Sequence, residues 1–465
     1  MARYSYLMAD PVALVWSEGS ATWSWHRGGA TRSEAGRTDS VLREMLALHR
    51  LAPLSGLPPF QCGAAGLLAY EWGSQLDELP QGPPGDSPFP DTLLGVYDWV
   101  IAWDHHAGTA WAIASGYPEI GPARESAAAR RAGEVVAWVD RVRVGGEPGD
   151  VPGAAPDEKK VGLIGRGGPP TGSLPPDCPI TITDFPLHST FSRASYESAV
   201  ERIREYILAG DLFQANLSQR FSAPLPVDAV AWRLYEDLRL ANPVPFAAFL
   251  DAGSAQIVSA SPERFLRVDT DGTAETRPIK GTRPRGSSLS DDARLGTELL
   301  ASAKDRAENV MIVDLLRNDF SRVCAPGSVR AVELCALERY STVQHLVSTI
   351  CGVLEPGHDA VALVAACFPS GSVTGAPRLR AMEIIGELEP VARGPYSGSL
   401  VWLSCTGALD SSVLIRTVVI ANGRVTFSAG GGVVLGSEPA AEYDETLAKA
   451  TGLVRALASA TLSRG

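Results

Sequence analysis

Carboxylates recur in pairs on two segments that have helical spacing. In KDRAENVMIVDLLRND (304–319), Asp305 and Glu308 are three residues apart and project from one face of a helix. Glu442 and Glu445 repeat this spacing in the last helical segment of the chain. Two helices with such pairs could converge on a hard cation such as Mg²⁺, which takes oxygen ligands. Spacing alone equally allows two solvated helix faces, because most carboxylates lie at the surface.

Lys280 lies in the turn-rich segment ETRPIKGTRPRG (275–286), where prolines and glycines constrain the backbone. A lysine amine becomes a covalent nucleophile when burial or a cationic neighbour lowers its pKa. Arg277 and Arg283 are such neighbours in the sequence. From the residues alone, a nucleophile and a solvated surface lysine both stay open, and the second is the commoner state of lysine.

Two glycine-rich segments and two single titratable residues complete the candidates. PSGSVTGAP (369–377) and SAGGGVVLG (428–436) could present backbone N–H groups to an anion, or could be ordinary tight turns. His345 is isolated in an apolar run, where a hydrogen-bonded core histidine is the usual finding. Glu263 follows a predicted strand and Pro262, a position from which a carboxylate reaches either a cleft or a surface loop.

The elements that must position these residues are strands and helices of irregular length. Apolar residues at helical spacing predict helices over 126–143, 195–211, 291–302, 304–316, 376–386 and 439–459. Strands are predicted over 245–251, 256–262, 398–404, 411–423 and 424–436, and strands broken by turns within 60–73 and 93–116. Because several strands follow one another without an intervening helix, we expect largely antiparallel sheets.

A Pro- and Gly-rich stretch at 145–179 is the clearest break in the pattern, since neither period survives there. It divides the chain into an N-terminal mixed α and β part (1–144), a linker or loop (145–188) and a catalytic domain (189–460). The 465 residues are 45% hydrophobic, which is sufficient for a large core.

Charge and cysteine content limit the class of partner and the compartment. The net charge is −12 without a block of basic residues, which argues against nucleic acid or an anionic membrane and favours a small molecule or another protein. Seven scattered cysteines without a CxxC pair are typical of reduced thiols. No signal peptide or membrane-spanning run is recognisable, so we expect a cytoplasmic protein.

The motifs, in their order along the chain, resemble those of the chorismate-utilising enzymes, which include anthranilate, aminodeoxychorismate, isochorismate and salicylate synthases. The resemblance implies an α+β fold of the anthranilate synthase type, with two packed antiparallel sheets, surrounding helices and an active site between the sheets. It is carried by GDLFQANLSQRF (210–221), SASPERFL (259–266), RPIKGTRPRG (277–286), KDRAENVMIVDLLRND (304–319), HLVS (345–348), FPSGSVTGAPRLRAMEII (368–385), GPYSGSL (394–400), LIRT (414–417) and AGGGVVLGSEPAAEYDETLAKA (429–450).

The resemblance also implies a role for each candidate residue. Glu308 and Glu445 match glutamates that hold Mg²⁺, and Asp305 and Glu442 match acids that support the metal through water. Contacts to the carboxylate and enolpyruvyl groups of chorismate are implied for Thr374, Gly375, Tyr396, Arg416, Gly431, Gly432 and Lys449.

Two further catalytic roles follow from the same resemblance. His345 matches a histidine beside the ring, and Glu263 matches the acid that protonates the departing 4-hydroxyl. A tryptophan-feedback signature has no convincing match near the N-terminus, where the nearest segment is LVWSEGS (14–20). Feedback inhibition by tryptophan is therefore not expected.

Position 280 separates the chemistries within the resembled family. Anthranilate, isochorismate and salicylate synthases typically have Ala there, whereas aminodeoxychorismate synthases typically have Lys. Lys280 would attack C2 of chorismate while the 4-hydroxyl leaves, and ammonia would then add at C4 and expel the lysine. Gln214 agrees, because isochorismate-forming relatives tend to carry a lysine base at this position. The implied activity is aminodeoxychorismate synthase component I, in 4-aminobenzoate and folate biosynthesis.

The source of ammonia is expected to be another protein. No segment resembles the nucleophilic cysteine of a glutaminase, so a separate glutamine amidotransferase subunit is implied. Two alternatives stay open at this stage. One is anthranilate synthase component I, with Lys280 as a departure from its pattern, and the other is an inactive chorismate-binding regulatory subunit.

Overall fold

The computed structural model describes residues 2–47, 49–77, 79, 82–83, 85–145, 178–183, 185–226, 229–241, 243–340 and 343–462. Up to residue 145, the strands are β1 (Tyr4–Leu7), β2 (Ala13–Glu18), β3 (Ala21–His26), β4 (Arg32–Glu34), β5 (Gly63–Leu68), β6 (Thr92–Tyr97), β7 (Trp99–Asp104) and β8 (Thr109–Ala114). The helices there are α1 (Thr38–Ala47), α2 (Trp72–Leu76) and α3 (Pro122–Arg143).

The remaining described residues contain most of the strands. These are β9 (Cys178–Ile182), β10 (Phe185–Ser189), β11 (Gln214–Pro224), β12 (Phe246–Asp251), β13 (Ala255–Ser261), β14 (Arg264–Val268), β15 (Thr273–Thr276), β16 (Ile279–Pro284), β17 (Arg330–Arg339), β18 (Val343–Val353), β19 (Gly375–Ala376), β20 (Ser399–Ser404), β21 (Leu409–Val413), β22 (Thr417–Ala421) and β23 (Arg424–Val433). The helices are α4 (Arg193–Ala209), α5 (Ala231–Ala241), α6 (Leu289–Ala301), α7 (Ala303–Ser321), α8 (Ala360–Cys367), α9 (Arg378–Leu388) and α10 (Pro439–Leu462).

Two large antiparallel sheets organise the fold, which confirms the predicted α+β class. Neighbouring strands of the larger sheet run in the order β16, β18, β15, β14, β21, β20, β5, β6, β2, β3, β4, with β17 also paired to β18. The smaller sheet has the order β12, β13, β22, β23, β11, β10, β9, with β19 also paired to β11. Pairing between β5 and β20 joins N-terminal strands to strands from the end of the chain in one sheet.

The sheets face each other across an apolar layer, and helices cover their other surfaces. Leu67 and Leu93 of the larger sheet share a buried cluster with Ile257 and Val419 of the smaller one. Helices α7 and α8 pack on the larger sheet through a second cluster that includes Ile312. Helices α5 and α10 cover the smaller sheet. Burial of apolar area at about 25 cal/mol per Å² makes these layers the main stabilising term of the fold.

The predicted strand 411–423 is wrong as a single element. It is two strands, because β21 pairs with β14 and β20 in the larger sheet whereas β22 pairs with β13 and β23 in the smaller sheet. The chain changes sheets at residues 414–416, and Arg416 has a φ of 50° there. Two short apolar runs, 413–415 and 418–420, extend across the change of sheet almost without a break, which is why the sequence pattern did not reveal it.

Several predicted boundaries also shift for local reasons. Helix α7 begins at Ala303 because the Ser302 side chain accepts the backbone N–H of Asp305 and caps the helix. Helix α9 begins at Arg378, since residues 375–376 form β19 instead. The segment predicted as strands over 60–73 contains β5 and then turns into α2.

The predicted division of the chain stays a prediction. Residues 146–177 of the linker lie outside the described residues, and 178–182 and 185–189 form β9 and β10 of the smaller sheet. Among the helices of the described part of the chain, none combines the length and apolarity needed to span a bilayer.

Candidate active site

Lys280 lies on β16 with its amine turned into the protein. The amine donates a hydrogen bond to the backbone carbonyl of Ser372, at 3.0 Å from Nζ to the oxygen. Gly281 brings the strand tightly against α7, because a Cβ at that position would lie 2.9 Å from the Cβ of Asp305. Burial lowers the pKa of Lys280, although the carboxylates of Glu308 and Glu263 act in the opposite direction. Lys280 is therefore not a solvated surface lysine.

Glu263 is a buried carboxyl close to this amine. It lies in the two-residue link between β13 and β14, after Pro262, and has only 5% of its surface exposed. Burial raises the pKa of Glu263, while Ser372, Lys280 and Arg416 oppose the rise. A carboxyl that retains its proton above the usual range can donate that proton to a leaving group.

His345, on β18, is a neutral imidazole at neutral pH. Its Nδ1 lies 2.8 Å from the Thr282 hydroxyl, and its ring packs edge-on against Tyr340 with centroids 5.5 Å apart. Burial and the positive charge of Arg416 lower the pKa of His345 to about 4. A neutral ring can sit beside a substrate without adding a second cation to the site.

Arg416 occupies the point where the chain passes between the sheets. Its backbone carbonyl accepts from the N–H of Ala260, which fixes the unusual backbone conformation. Burial lowers the pKa of Arg416, and the nearby Glu263 carboxylate opposes this shift. A half-buried guanidinium is a suitable partner for a substrate carboxylate, which it can bind through two parallel hydrogen bonds.

Glu308 of α7 and Glu442 of α10 lie close enough for the charge of Glu442 to raise the pKa of Glu308. Glu442 is buried and accepts from Ser437 Oγ at 2.6 Å, and Glu445 accepts from Lys449 Nζ at 2.7 Å. Burial raises the pKa of both Glu308 and Glu442, and repulsion from a neighbouring carboxylate adds to each rise, from Glu442 at Glu308 and from Glu445 at Glu442. The same helices thus bring together like charges that would benefit from a cation.

Gly431 lies directly against the carboxylates of Glu442 and Glu445. A Cβ there would lie 3.1 Å from Glu442 Oε2 and 3.5 Å from Glu445 Oε1. Asp305 is paired instead with Arg283, at 3.3 Å. In the ranges described above, no three Asp, Glu, His or Cys side chains are gathered closely enough to form a metal site by themselves. The donor set still fits Mg²⁺, which needs only one or two protein carboxylates and keeps several waters.

The glycine-rich segments meet around Gln214. A Cβ on Gly375 would lie 2.1 Å from the Gln214 carbonyl oxygen, and one on Gly432 would lie 2.1 Å from its Nε2, so neither position accepts a larger residue unchanged. Thr374 is buried beside them and donates to the Ser370 carbonyl at 3.0 Å. The Gln214 amide is fully buried, and neither of its polar atoms has a hydrogen-bond partner among the described residues.

Tyr396 and Lys449 are the remaining candidate residues. Tyr396 is buried, and burial raises its pKa while Arg393 and Lys449 lower it. Lys449 donates to the Gly430 carbonyl at 2.8 Å. The positive charge of Lys449 also lowers the pKa of Lys280, which indicates that the two amines lie near each other.

Sequence reasoning missed Glu389, Arg393 and Lys304. Lys304 Nζ lies 3.7 Å from Glu442 Oε1 at the edge of the carboxylate cluster. Glu389 and Arg393 form a buried ion pair, and Arg393 also donates to the carbonyl of Val373, next to Thr374. Their four-residue separation was a possible signal, but i,i+4 charge pairs are common on solvated helices and do not indicate burial.

Comparison with known proteins identifies this arrangement. A family model described as chorismate binding enzyme matches residues 4–455. The chain belongs to that family.

Individual relatives fall into two groups. Anthranilate synthase component 1 of Thermus thermophilus is 41% identical over 402 residues, covering 86% of this chain and 78% of the relative. Aminodeoxychorismate synthase component 1 of Escherichia coli K12 is 36% identical over 462 residues, covering 98% and 90%. The crystal structure of anthranilate synthase component I from Streptococcus pneumoniae superposes with a TM-score of 0.79 at 30% identity, covering 98% of this chain and 92% of that one.

Proposed function

We propose that this chain is component I of an aminodeoxychorismate synthase, which converts chorismate and ammonia to 4-amino-4-deoxychorismate. The observation that carries the proposal is the Lys280 amine, which points inward to the Ser372 carbonyl at 3.0 Å next to the buried Glu263. Membership of the family supports chorismate as the substrate. The pathway that fits the product is 4-aminobenzoate and folate biosynthesis in the cytoplasm.

The proposed reaction uses Lys280 as a nucleophile and Glu263 as an acid. The neutral amine forms a bond to C2 of chorismate, the two ring double bonds shift, and the 4-hydroxyl leaves as water with the Glu263 proton. Ammonia then bonds to C4, the double bonds shift back, and the C2–N bond breaks to release Lys280. A proton from the new ammonium group returns to Glu263. The enolpyruvyl group is not eliminated at any point.

The other residues bind and orient the substrate in this proposal. Arg416 and Tyr396 supply donors for a carboxylate, together with the N–H groups around Gly375, Gly431 and Gly432. His345 stays neutral beside the ring.

Glu308 and Glu445 are the proposed ligands of Mg²⁺, with Asp305 and Glu442 holding its waters. When bound, Mg²⁺ neutralises the ring carboxylate of chorismate. Lys449 positions the Glu445 carboxylate through their ion pair.

The ammonia source in this proposal is a glutamine amidotransferase subunit. The relatives of both groups are named as component 1 of their synthases, which supports a second component. Ammonium salts should replace this partner in vitro, because free ammonia is the nucleophile that adds to C4.

The test is the product formed by the purified chain from chorismate, Mg²⁺ and ammonium, analysed by mass spectrometry. We expect 4-amino-4-deoxychorismate, which aminodeoxychorismate lyase converts to 4-aminobenzoate. Lys280→Ala should reduce this product to the background rate, since the amine is required for the adduct. A Lys280→Ala variant with full activity would refute the covalent route.

Anthranilate synthase component I is a second candidate, favoured by the 41% identity to the Thermus protein and by the likeness to the pneumococcal structure. Fluorescent anthranilate and released pyruvate in the same assay would establish it instead. An inactive regulatory subunit predicts chorismate binding without either product. The three outcomes are therefore distinguished by one incubation and one binding measurement.

A further inference from the structure

Glu389 and Arg393 form a fork-shaped ion pair that is closed off from solvent. Arg393 Nε donates to Glu389 Oε2 at 2.9 Å and Nη2 donates to Oε1 at 2.7 Å. Their side chains are 5% and 2% exposed, and Glu389 also accepts from the backbone N–H and hydroxyl of Ser218. Paired and hydrogen-bonded in this way, both charges are compensated within the protein.

The guanidinium joins two backbone segments. Its Nη1 donates to the Val373 carbonyl at 2.8 Å, and its Nη2 donates to the Asn216 carbonyl at 2.5 Å. The Asn216 N–H in turn donates to the Thr374 carbonyl at 2.7 Å. Two bonds therefore hold residues 373–374 against β11. Arg393 binds the Val373 carbonyl, and the Asn216 N–H binds the Thr374 carbonyl directly.

The segment held in this way carries three parts of the candidate site. Its Ser372 carbonyl receives the Lys280 amine, and Thr374 and Gly375 are proposed substrate contacts. Gly375 of β19 pairs with Ala215 of β11, next to the residues whose carbonyls bind Arg393.

The opposite face of Arg393 meets aromatic rings. Its Cζ lies 4.7 Å from the centroid of Tyr70 and 5.7 Å from that of Tyr396, within the range of cation–π contacts. The backbone N–H of Arg393 donates to Glu71 at 2.8 Å. One cation therefore contacts both the proposed Tyr396 ligand and the segment that holds Lys280.

We infer that the Glu389–Arg393 ion pair is a positioning device for the chorismate site, which sets segment 372–375 and Tyr396 relative to each other. The inference rests on the proposed function only in that the substrate is chorismate. Loss of one charge should loosen the segment and weaken substrate binding, with the scaffold left folded. Neither residue needs to touch the substrate for this effect.

Glu389→Gln and Arg393→Lys are the test variants. In Glu389→Gln an amide NH₂ faces guanidinium donors, and in Arg393→Lys the positive charge stays while the fork is lost. We expect the KM for chorismate to rise about tenfold or more in both at saturating ammonium, which corresponds to about 1.4 kcal/mol of binding. Hydrogen–deuterium exchange should increase in 370–376 and 394–398.

Asp319→Asn is the matched control. Asp319 and Arg378 form another buried ion pair, at 2.9 Å. The second hydrogen bond of Arg378 goes to the Ala366 carbonyl and not to segment 372–375 or Tyr396. We expect Asp319→Asn to lower Tm, because it removes one charge of a buried ion pair, while the KM for chorismate and the exchange in 370–376 stay unchanged. An unchanged KM in folded Glu389→Gln and Arg393→Lys, or an equal rise in Asp319→Asn, would overturn the inference.

The identity of the product does not affect this test. If the enzyme makes anthranilate, the KM for chorismate still reports on the ion pair, while the proposed function fails. If the chain has no turnover, the dissociation constant of chorismate from equilibrium dialysis replaces KM. Unaltered dissociation constants and exchange in both variants would then refute the inference.

Discussion

Acidification should destabilise the protein through the buried ring of His345. The ring is 2% exposed and its pKa is lowered from 6.5 to about 4 by burial and by Arg416, with Glu338 as a weaker opposing charge. The folded pKa lies below the unfolded one, so the neutral ring costs the folded state no stability above pH 6.5. The full free energy of unfolding is therefore present there. Part of it is lost as the pH falls from 6.5 towards 4, where the unfolded chain binds a proton that the folded chain does not.

The size of the effect follows from the shift. A difference of 2.5 pKa units corresponds to about 3 kcal/mol of unfolding free energy at full loss, and about 2 kcal/mol is lost by pH 5. His345→Gln keeps a hydrogen-bonding partner for Thr282 but cannot titrate. Between pH 7.5 and pH 5, the free energy of unfolding of the wild type should therefore fall by about 2 kcal/mol more than that of the variant.

Two measurements check this reasoning. Urea unfolding of both proteins at pH 7.5, 6 and 5 gives the difference in pH dependence, and long-range ¹H–¹⁵N spectra give the pKa of the His345 ring directly. A ring that titrates near 6.5, or identical pH dependence of the two proteins, would show that burial does not keep the imidazole neutral.

Two further predictions concern the carboxylates and the glycines. Glu445→Gln should raise the Mg²⁺ concentration for half-maximal rate about tenfold or more, because the amide carries no charge for the metal. The control is Asp444→Asn, on the same helix and paired with Arg193, which should leave this concentration unchanged. Equal effects of the two substitutions would contradict the metal assignment. Gly375→Ala should lower Tm by several degrees and abolish activity, since its Cβ would lie 2.1 Å from a backbone oxygen. Gly452→Ala, in open space on α10, should raise Tm slightly by removing a helical glycine; thermal unfolding of both variants tests this pair, and equal Tm values would count against it.

Much of the site was predictable because its residues stand on regular elements. The three-residue spacing of Glu442 and Glu445 on a helix directs both carboxylates to one side, and the structure places them around Gly431. The inward direction of Lys280 was not predictable from its own segment. It depends on the Ser372 carbonyl, 92 residues away in the chain.

The change of sheet at Arg416 and the ion pair of Arg393 illustrate what sequence pattern omits. Both depend on which strands become neighbours, and periodicity describes only which side of an element is apolar. The segment that passes between the sheets stays apolar on both sides of the change, and a buried i,i+4 ion pair consists of the same residue types as an exposed one. Tertiary pairing decides both cases.

The pairing of β5 with β20 has a consequence for biosynthesis. Ala65 is the partner of Trp402, so β5 leaves the ribosome about 340 residues before the strand that completes its hydrogen bonds. During that interval one edge of the nascent sheet is exposed and able to pair with other chains. Aggregation during synthesis should therefore fall when chaperones cover this edge until β20 has been made.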